Sequence, residues 1–317
     1  MLTIIPVLRS ASRTLSGLAA AFLCLIFSVN SLHAAPLAVT VVLSENSGPY
    51  LEFSEALREK LIRKNVTLEV VDDPSGLITD YGLIIGVGMK AASAVADSNA
   101  HAVLNVLIPK NGYEKLLRDF PQRAASKAFS AIFLDQPAER QVRLIEALLP
   151  GKRRVGVVFD NFPSDDLVQL RQRFTKHGLS LYEQKISPGL PLNEALQEVL
   201  KNSEVLLALP DAAIYNNSTI RNILLAAYRS GNPVIGFSPS YVKAGALGAV
   251  FSTPMQIAAQ TALSIQQFGE TRTLPAAQYP HLFEVSVNEQ VGRSLDLTIK
   301  STDELHQEIS VITGDKP

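Results

Sequence analysis

The chain has 317 residues, with 29 basic and 30 acidic side chains, a formal net charge of −1, 47% hydrophobic residues and one cysteine. That balance gives no electrostatic footprint for nucleic acid or an anionic membrane surface, so neither is expected as a partner. The lone Cys24 excludes an intrachain disulfide and a thiolate metal site.

Residues 1–35 read as a secretory signal peptide. Arg9 and Arg13 precede an apolar run from Leu15 to Val29, and "NSLHAA" places small residues ahead of Pro36. The run is short for a membrane span, an uncleaved anchor being the alternative. Cleavage is expected after Ala34 or Ala35. Phe22 and Leu23 are too bulky for a lipoprotein signal at Cys24, so a soluble exported protein is expected. Its mature chain has no cysteine and carries 27 basic against 30 acidic groups, since only Arg9 and Arg13 are lost. No later segment approaches the roughly 18 apolar residues of a spanning helix.

From residue 37 onward, short β-branched runs alternate with helical patterns. The runs are 37–43, 66–71, 81–87, 102–108 and 129–134, and "YLEFSEALREKLIRK" between the first two has an apolar helical face. Such a beat implies parallel strands, because the chain must travel back before pairing again. The stretch "FLDQPAERQ" then interrupts. Gln136 suits a helix N-cap, Pro137 the first turn and Glu139 the third position, and Glu139 with Arg143 makes an i,i+4 pair. Pro150 and Gly151 end that helix.

The beat restarts with strands at 153–159, 179–186, 204–209, 232–237 and 247–252 and helices near 164–177, 191–201 and 218–229. His177 reads as a cation at a helix C-terminus, and Asp165 and Asp166 as complements to a helix dipole. "NNST" at 216–219 reads as helix-cap chemistry. The polar tail after Asp303 is expected to fray. The fold class is therefore α/β, as two Rossmann-like, doubly wound lobes with a hinge and an inter-lobe cleft.

Catalytic signatures are missing. His101, His177, His281 and His306 lack metal-ligand spacing, and no G-x-S-x-G elbow occurs. "GVGMK" at 86–90 lacks the third glycine of a dinucleotide fingerprint and the G-K-[ST] of a P-loop, and reads as a tight strand-to-helix turn. No catalytic residue, metal site or cofactor is expected.

In open α/β sheets, ligands sit beyond the carboxyl ends of the strands. Two facing lobes would form a cleft there. The loops that reach it hold the candidate ligand-binding residues: Ser44, Glu45, Asn46, Gly88, Met89, Asp135, Gln136, Asp160, Asn161, Asp211, Tyr215, Ser238 and Tyr241. Asp211 suits an ammonium partner or a loop cap. Tyr215 and Tyr241 suit stacking on a planar group or covering the loop's apolar underside. Asp135 and Gln136 end a strand at the expected hinge and are secondary contacts at most.

Three stretches carry a family resemblance. "AIFLDQPAERQVRLIEALLPGKRRVGVVFD", "LLALPDAAIYNNSTIRNILLAAYRSGNPVIGFSPSYVKAGALGAVFS" and "FEVSVNEQVGRSLDL" resemble periplasmic substrate-binding components of ABC transporters related to tryptophan- and other aromatic amino-acid-binding proteins. The resemblance spans roughly residues 129–297. It implies a type I periplasmic-binding-protein fold, with crossovers near 134–137, 252–254 and 274–280. The implied N-terminal lobe is 36–134 plus 253–275, and the C-terminal lobe is 135–252 plus 276–317. It also implies a monomeric, periplasmic, non-enzymatic protein that closes on a small, amino-acid-like or aromatic solute and delivers it to a membrane permease. A ligand sensor signalling to a membrane receptor is the alternative. The first half departs from the family pattern at "SENSGPYLEF" and "IPKNGYEKLLRDFP", which stand where relatives contact ligand.

Overall fold

The computed structural model describes residues 36–71, 82–160, 162 and 164–313. The signal-peptide reading and Asn161 lie outside them. Two sheets organise the chain. The first contains β1 (Leu37–Leu43), β2 (Val66–Val71), β3 (Leu83–Val87), β4 (Ala102–Ile108) and β5 (Phe129–Phe133) in the order β2-β1-β3-β4-β5. All its pairings are parallel. Strands β3, β4 and β5 are buried along their whole length, as helices on both faces require, while β2 stays half-exposed at the edge. Its helices are α1 (Gly48–Leu61), α2 (Met89–Asp97), α3 (Lys110–Asp119) and the short α4 (Pro121–Ala124).

The second sheet contains β6 (Arg154–Phe159), β7 (Ser180–Lys185), β8 (Val205–Leu207), β9 (Val234–Gly236), β10 (Gly248–Phe251) and β11 (Glu284–Val287). Their order is β11-β10-β9-β8-β6-β7, with β11 antiparallel to β10. The alternating beat gave no sign of that antiparallel edge. The remaining helices are α5 (Ala138–Leu148), α6 (Ser164–Lys176), α7 (Leu192–Asn202), α8 (Ile220–Arg229), α9 (Pro239–Ala244), α10 (Pro254–Thr271), α11 (Glu289–Ser294) and α12 (Thr302–Thr313). Among the described residues, no helix is long and apolar enough to cross a membrane.

The helices sort by their buried faces. Phe53, Leu57 and Leu61 of α1 meet Ile257, Ile265 and Phe268 of α10 over the first sheet. The i, i+4, i+8 spacing of the α1 residues makes that stripe, and fully burying each side chain is worth about 1.5–3 kcal/mol. Helices α2 and α3 cover the opposite face through Val95, Tyr113 and Leu116. Helix α5 follows β5 in sequence yet buries Val142, Ile145 and Leu148 against the second sheet.

Three sequence readings need correction. Helix α5 begins at Ala138 with Pro137 as its N-cap, one residue later than the capping pattern suggested, because the Gln136 side chain is used elsewhere. His177 is inserted between Glu139 and Glu146 of α5, at 3.1 and 3.3 Å, rather than serving only its own helix end. The polar tail does not fray at Asp303: Leu305 and Ile309, four apart, are both fully buried and anchor α12 in the second core.

The segments joining the two sheets are tied at Arg140, which is 2% exposed. Its guanidinium donates to Gln136 Oε1 at 2.8 Å, to the Pro280 carbonyl at 3.0 Å and to the His281 carbonyl at 2.8 Å, and lies 4.5 Å from the Phe283 ring centroid. Gln136 Nε2 donates to Ser252 Oγ at 2.8 Å, and Ser252 Oγ donates to the Leu282 carbonyl at 2.5 Å. Gln260 adds bonds to the Tyr279 carbonyl and the His281 amide at 3.2 and 2.8 Å. Chain segments 136–140, 252 and 278–283 are thereby cross-linked without a disulfide. Arg140→Leu should cost about 3–5 kcal/mol by denaturant unfolding, since it strands buried carbonyls. Arg293→Ala, which breaks an exposed pair with Glu289, should stay within about 0.5 kcal/mol.

Candidate functional site

The carboxyl ends of β1, β4, β9 and β10 surround an apolar cavity of about 530 Å³. Its walls come from Tyr50 at the start of α1, Leu107 near the end of β4, Leu134 just after β5, Phe237 just after β9 and Phe251 at the end of β10. The first turns of α1, α9 and α10 open onto it. Thr253 closes α10 with a reciprocal capping box to Gln256, at 3.2 and 3.0 Å. Ser47 and Ser238, the N-caps of α1 and α9, make no such side-chain bond.

Leu107 shows how this cavity is built. Its φ is +53°, a left-handed backbone that a leucine rarely adopts, and the β4–β5 register shifts between Val106 and Ile108 at this residue. A bulge of this kind re-aims a side chain at the end of a strand. Here the leucine joins the cavity wall instead of continuing the ladder. No glycine in "AVLNVLIPK" announces it.

A second cavity, of about 210 Å³, lies at the ends of β4, β5, β6 and β8. Lys110, Asp135, Gln141, Asp166 and Tyr279 line it. Lys110 follows β4 and its ammonium pairs with Asp166 of α6 and, at 3.5 Å, with Glu114. Burial pulls the Lys110 pKa down, but the Asp166 hydrogen bond and charge, with Tyr279 and Glu114, outweigh it and leave the pKa raised. Asp135 Oδ2 accepts the Lys110 backbone N–H at 2.6 Å. Burial drives the Asp135 carboxyl up to about 7, only partly opposed by its backbone hydrogen bonds and the nearby Lys110 charge.

The residues singled out from sequence are dispersed among several roles. Ser44 is buried and its Oγ accepts the Ala91 N–H at 3.0 Å, capping α2 from the neighbouring strand. Gly88 has φ +82°, and a Cβ there would lie 2.6 Å from Ser44 Oγ and 2.8 Å from the Tyr50 ring, so only glycine fits the turn. Glu45 and Asn46 are exposed, and Met89 is half-buried with its sulfur beside Gly112. Asp211 is the loop cap: its Oδ1 accepts the Ala213 N–H and its Oδ2 the Asp160 N–H, both at 3.0 Å. Tyr215 and Tyr241 cover the loop's apolar underside with Phe237, at centroid separations of 4.5 to 6.3 Å. Burial raises the pKa of both phenols, that of Tyr241 to about 12. Ser238 lines the larger cavity, and Asp135 and Gln136 the smaller. In the sequence Asp166 reads as a helix-dipole complement and Lys110 falls within "IPKNGYEKLLRDFP", while Gln141 and Tyr279 carry no motif.

Two sheets of mostly parallel strands, with cavities at their carboxyl ends, make the two-lobed fold of the type I periplasmic-binding class. The chain is similar to a conserved domain protein from Vibrio cholerae O1 biovar eltor, at 21% identity over 86% of this chain and 98% of that one, with a TM-score of 0.61. It is also similar to an ABC domain from Streptococcus pneumonia in complex with L-Trp, at 16% identity over 86% and 98%, with a TM-score of 0.60. A third is the ligand-free, open structure of a substrate binding protein with adhesive properties from Clostridium difficile, at 15% identity over 84% and 96%, with a TM-score of 0.60. These likenesses establish the fold. No curated protein matches the chain. The family model for ABC transporter substrate binding proteins matches residues 122–301, more than half the chain, and the protein belongs to that family.

The Asp135 environment has a measurable consequence. A carboxyl held at about 7 when folded and about 3.9 when unfolded contributes stability that is complete below the unfolded value and lost as pH rises through 7. Asp135→Asn keeps an oxygen for the Lys110 N–H without the charge. Relative to wild type, this variant should gain roughly 1–3 kcal/mol between pH 4 and pH 8 in urea unfolding.

Proposed function

We propose that this protein is the exported, periplasmic solute-binding component of an ABC uptake system, acting as a monomer without catalysis of its own. The larger cavity holds a small solute with an apolar or aromatic body, and closure of the two lobes presents it to a membrane permease. The observation that carries this reading is the cavity itself. Side chains from both sheets wall it, three rings (Tyr50, Phe237 and Phe251) are among them, and one strand is bulged to set Leu107 against it. The lobes we assign are 36–134 with 253–275, and 135–252 with 276–317, a division supported by the packing of α10 on α1. Ser238 is the sequence-derived candidate best placed to touch this solute. The L-Trp held by the pneumococcal relative supports an aromatic, amino-acid-like solute.

Thermal-shift screening of the mature protein against aromatic and aliphatic amino acids and their deaminated carboxylic acids tests this. A saturable rise in Tm is expected for at least one aromatic solute. Phe237→Ala and Tyr50→Ala should each weaken its binding at least tenfold by calorimetry, while Tyr228→Ala on the exposed face of α8 leaves it unchanged. Full binding retained in both cavity variants would refute the site.

A further inference from the structure

We propose that the smaller cavity is a second binding site, one that takes the ammonium group of a small amine between the Asp135 carboxyl and the Gln141 carboxamide. Both residues line this 210 Å³ space, which no residue of the larger cavity's wall shares. The charges around it are assigned in pairs, with one exception. Asp166 has the Lys110 ammonium. Glu139 has Arg143 at 3.2 Å, Arg173 at 3.4 Å and His177 at 3.1 Å. Asp135 is the carboxyl lining the cavity that forms no ion pair among the described residues; its bond is to the neutral Lys110 backbone amide.

Gln141 is the second, independent observation. It is 6% exposed, lies on the first turns of α5 and faces the cavity, yet its carboxamide makes no hydrogen bond among the described residues. Its polar atoms open onto the cavity rather than being sealed in the core, so they are free to bond a group held there. Its neighbour Gln136, by contrast, is fully engaged with Ser252 and Arg140. An ammonium donates three hydrogen bonds and accepts none. The Asp135 carboxylate, the Gln141 carbonyl oxygen and the Tyr279 phenol oxygen supply acceptors around one small space. Of the charged side chains that line it, Asp135, Glu139 and Asp166 outnumber Lys110 and Arg173 by one once Asp135 is ionised. A bound cation restores the balance.

The same arrangement fixes the pH dependence. Asp135 is faced by Lys110 from α3, itself paired with Glu114, by Glu139 from α5, Asp166 and Arg173 from α6 and Tyr279 from the returning chain. With its carboxyl at about 7, Asp135 must give up a proton to an arriving ammonium at lower pH. Affinity therefore rises with pH up to about 8.

Calorimetric titration of the purified protein with ethanolamine and 1,4-diaminobutane tests the site, with ethylene glycol and butane-1,4-diol as neutral matches. At pH 8 the amines should bind and the diols should not. The amine Kd should weaken about tenfold or more at pH 5.5, with proton release seen as a dependence of the heat on buffer ionisation. Asp135→Asn should abolish the pH effect and weaken binding at least tenfold, and Gln141→Leu should weaken it several-fold. Phe237→Ala should leave it intact, which separates this site from the larger cavity. The proposal is overturned if no amine binds at tens of millimolar, if the diols bind equally, if Asp135→Asn binds as wild type, or if Phe237→Ala removes the binding.

Discussion

The segments that join the two sheets are held in register at the guanidinium of Arg140. An arginine in a core is costly unless its donors are met. Here they are met by carbonyls at 280 and 281 and by the Gln136 side chain, which reaches Ser252 in turn. Because the acceptors lie on separate crossover segments, satisfying one buried charge holds those segments in register. The apolar cores on either side need no contact with each other for that to hold.

The position of the cavities follows from the same constraint. Parallel strands end together, and the crossovers leave from those ends, so the space beyond them is walled by both sheets. Leu134 faces one cavity and the adjacent Asp135 the other, so the first crossover divides an apolar space from a polar one. Alternation along an extended chain is enough to do this. The strained backbone at Leu107 is tolerated because the surrounding β4 pairings are otherwise regular and buried.

The architecture was legible in the sequence because it rests on local periodicity. β-branched runs and helical stripes gave the doubly wound plan, and "FLDQPAERQ" marked the passage between sheets. The antiparallel β11 was not legible, since a short edge strand such as "EVSV" has no local sign of its partner's direction. The site was only partly legible. Loop position drew attention to the strand ends, but it could not separate Asp211, spent on two backbone amides, from Asp135, which has no ion pair among the described residues. Nor could it find Lys110 and Asp166, which lie 56 residues apart and meet only in the folded chain. Tyr215 and Tyr241 show the opposite failure, aromatic residues at strand ends whose rings turn inward to the core.

Closure of the lobes on a solute is the central claim, and inter-lobe distance measures it most directly. Cys24 is the one cysteine of the sequence, so in a chain that starts at residue 36 spin labels at Lys90→Cys on α2 and Lys243→Cys on α9, both exposed, report one distance across the cleft by pulsed electron paramagnetic resonance. A solute that raises Tm should shorten and narrow that distance distribution. An unchanged distribution at saturating solute would contradict the account.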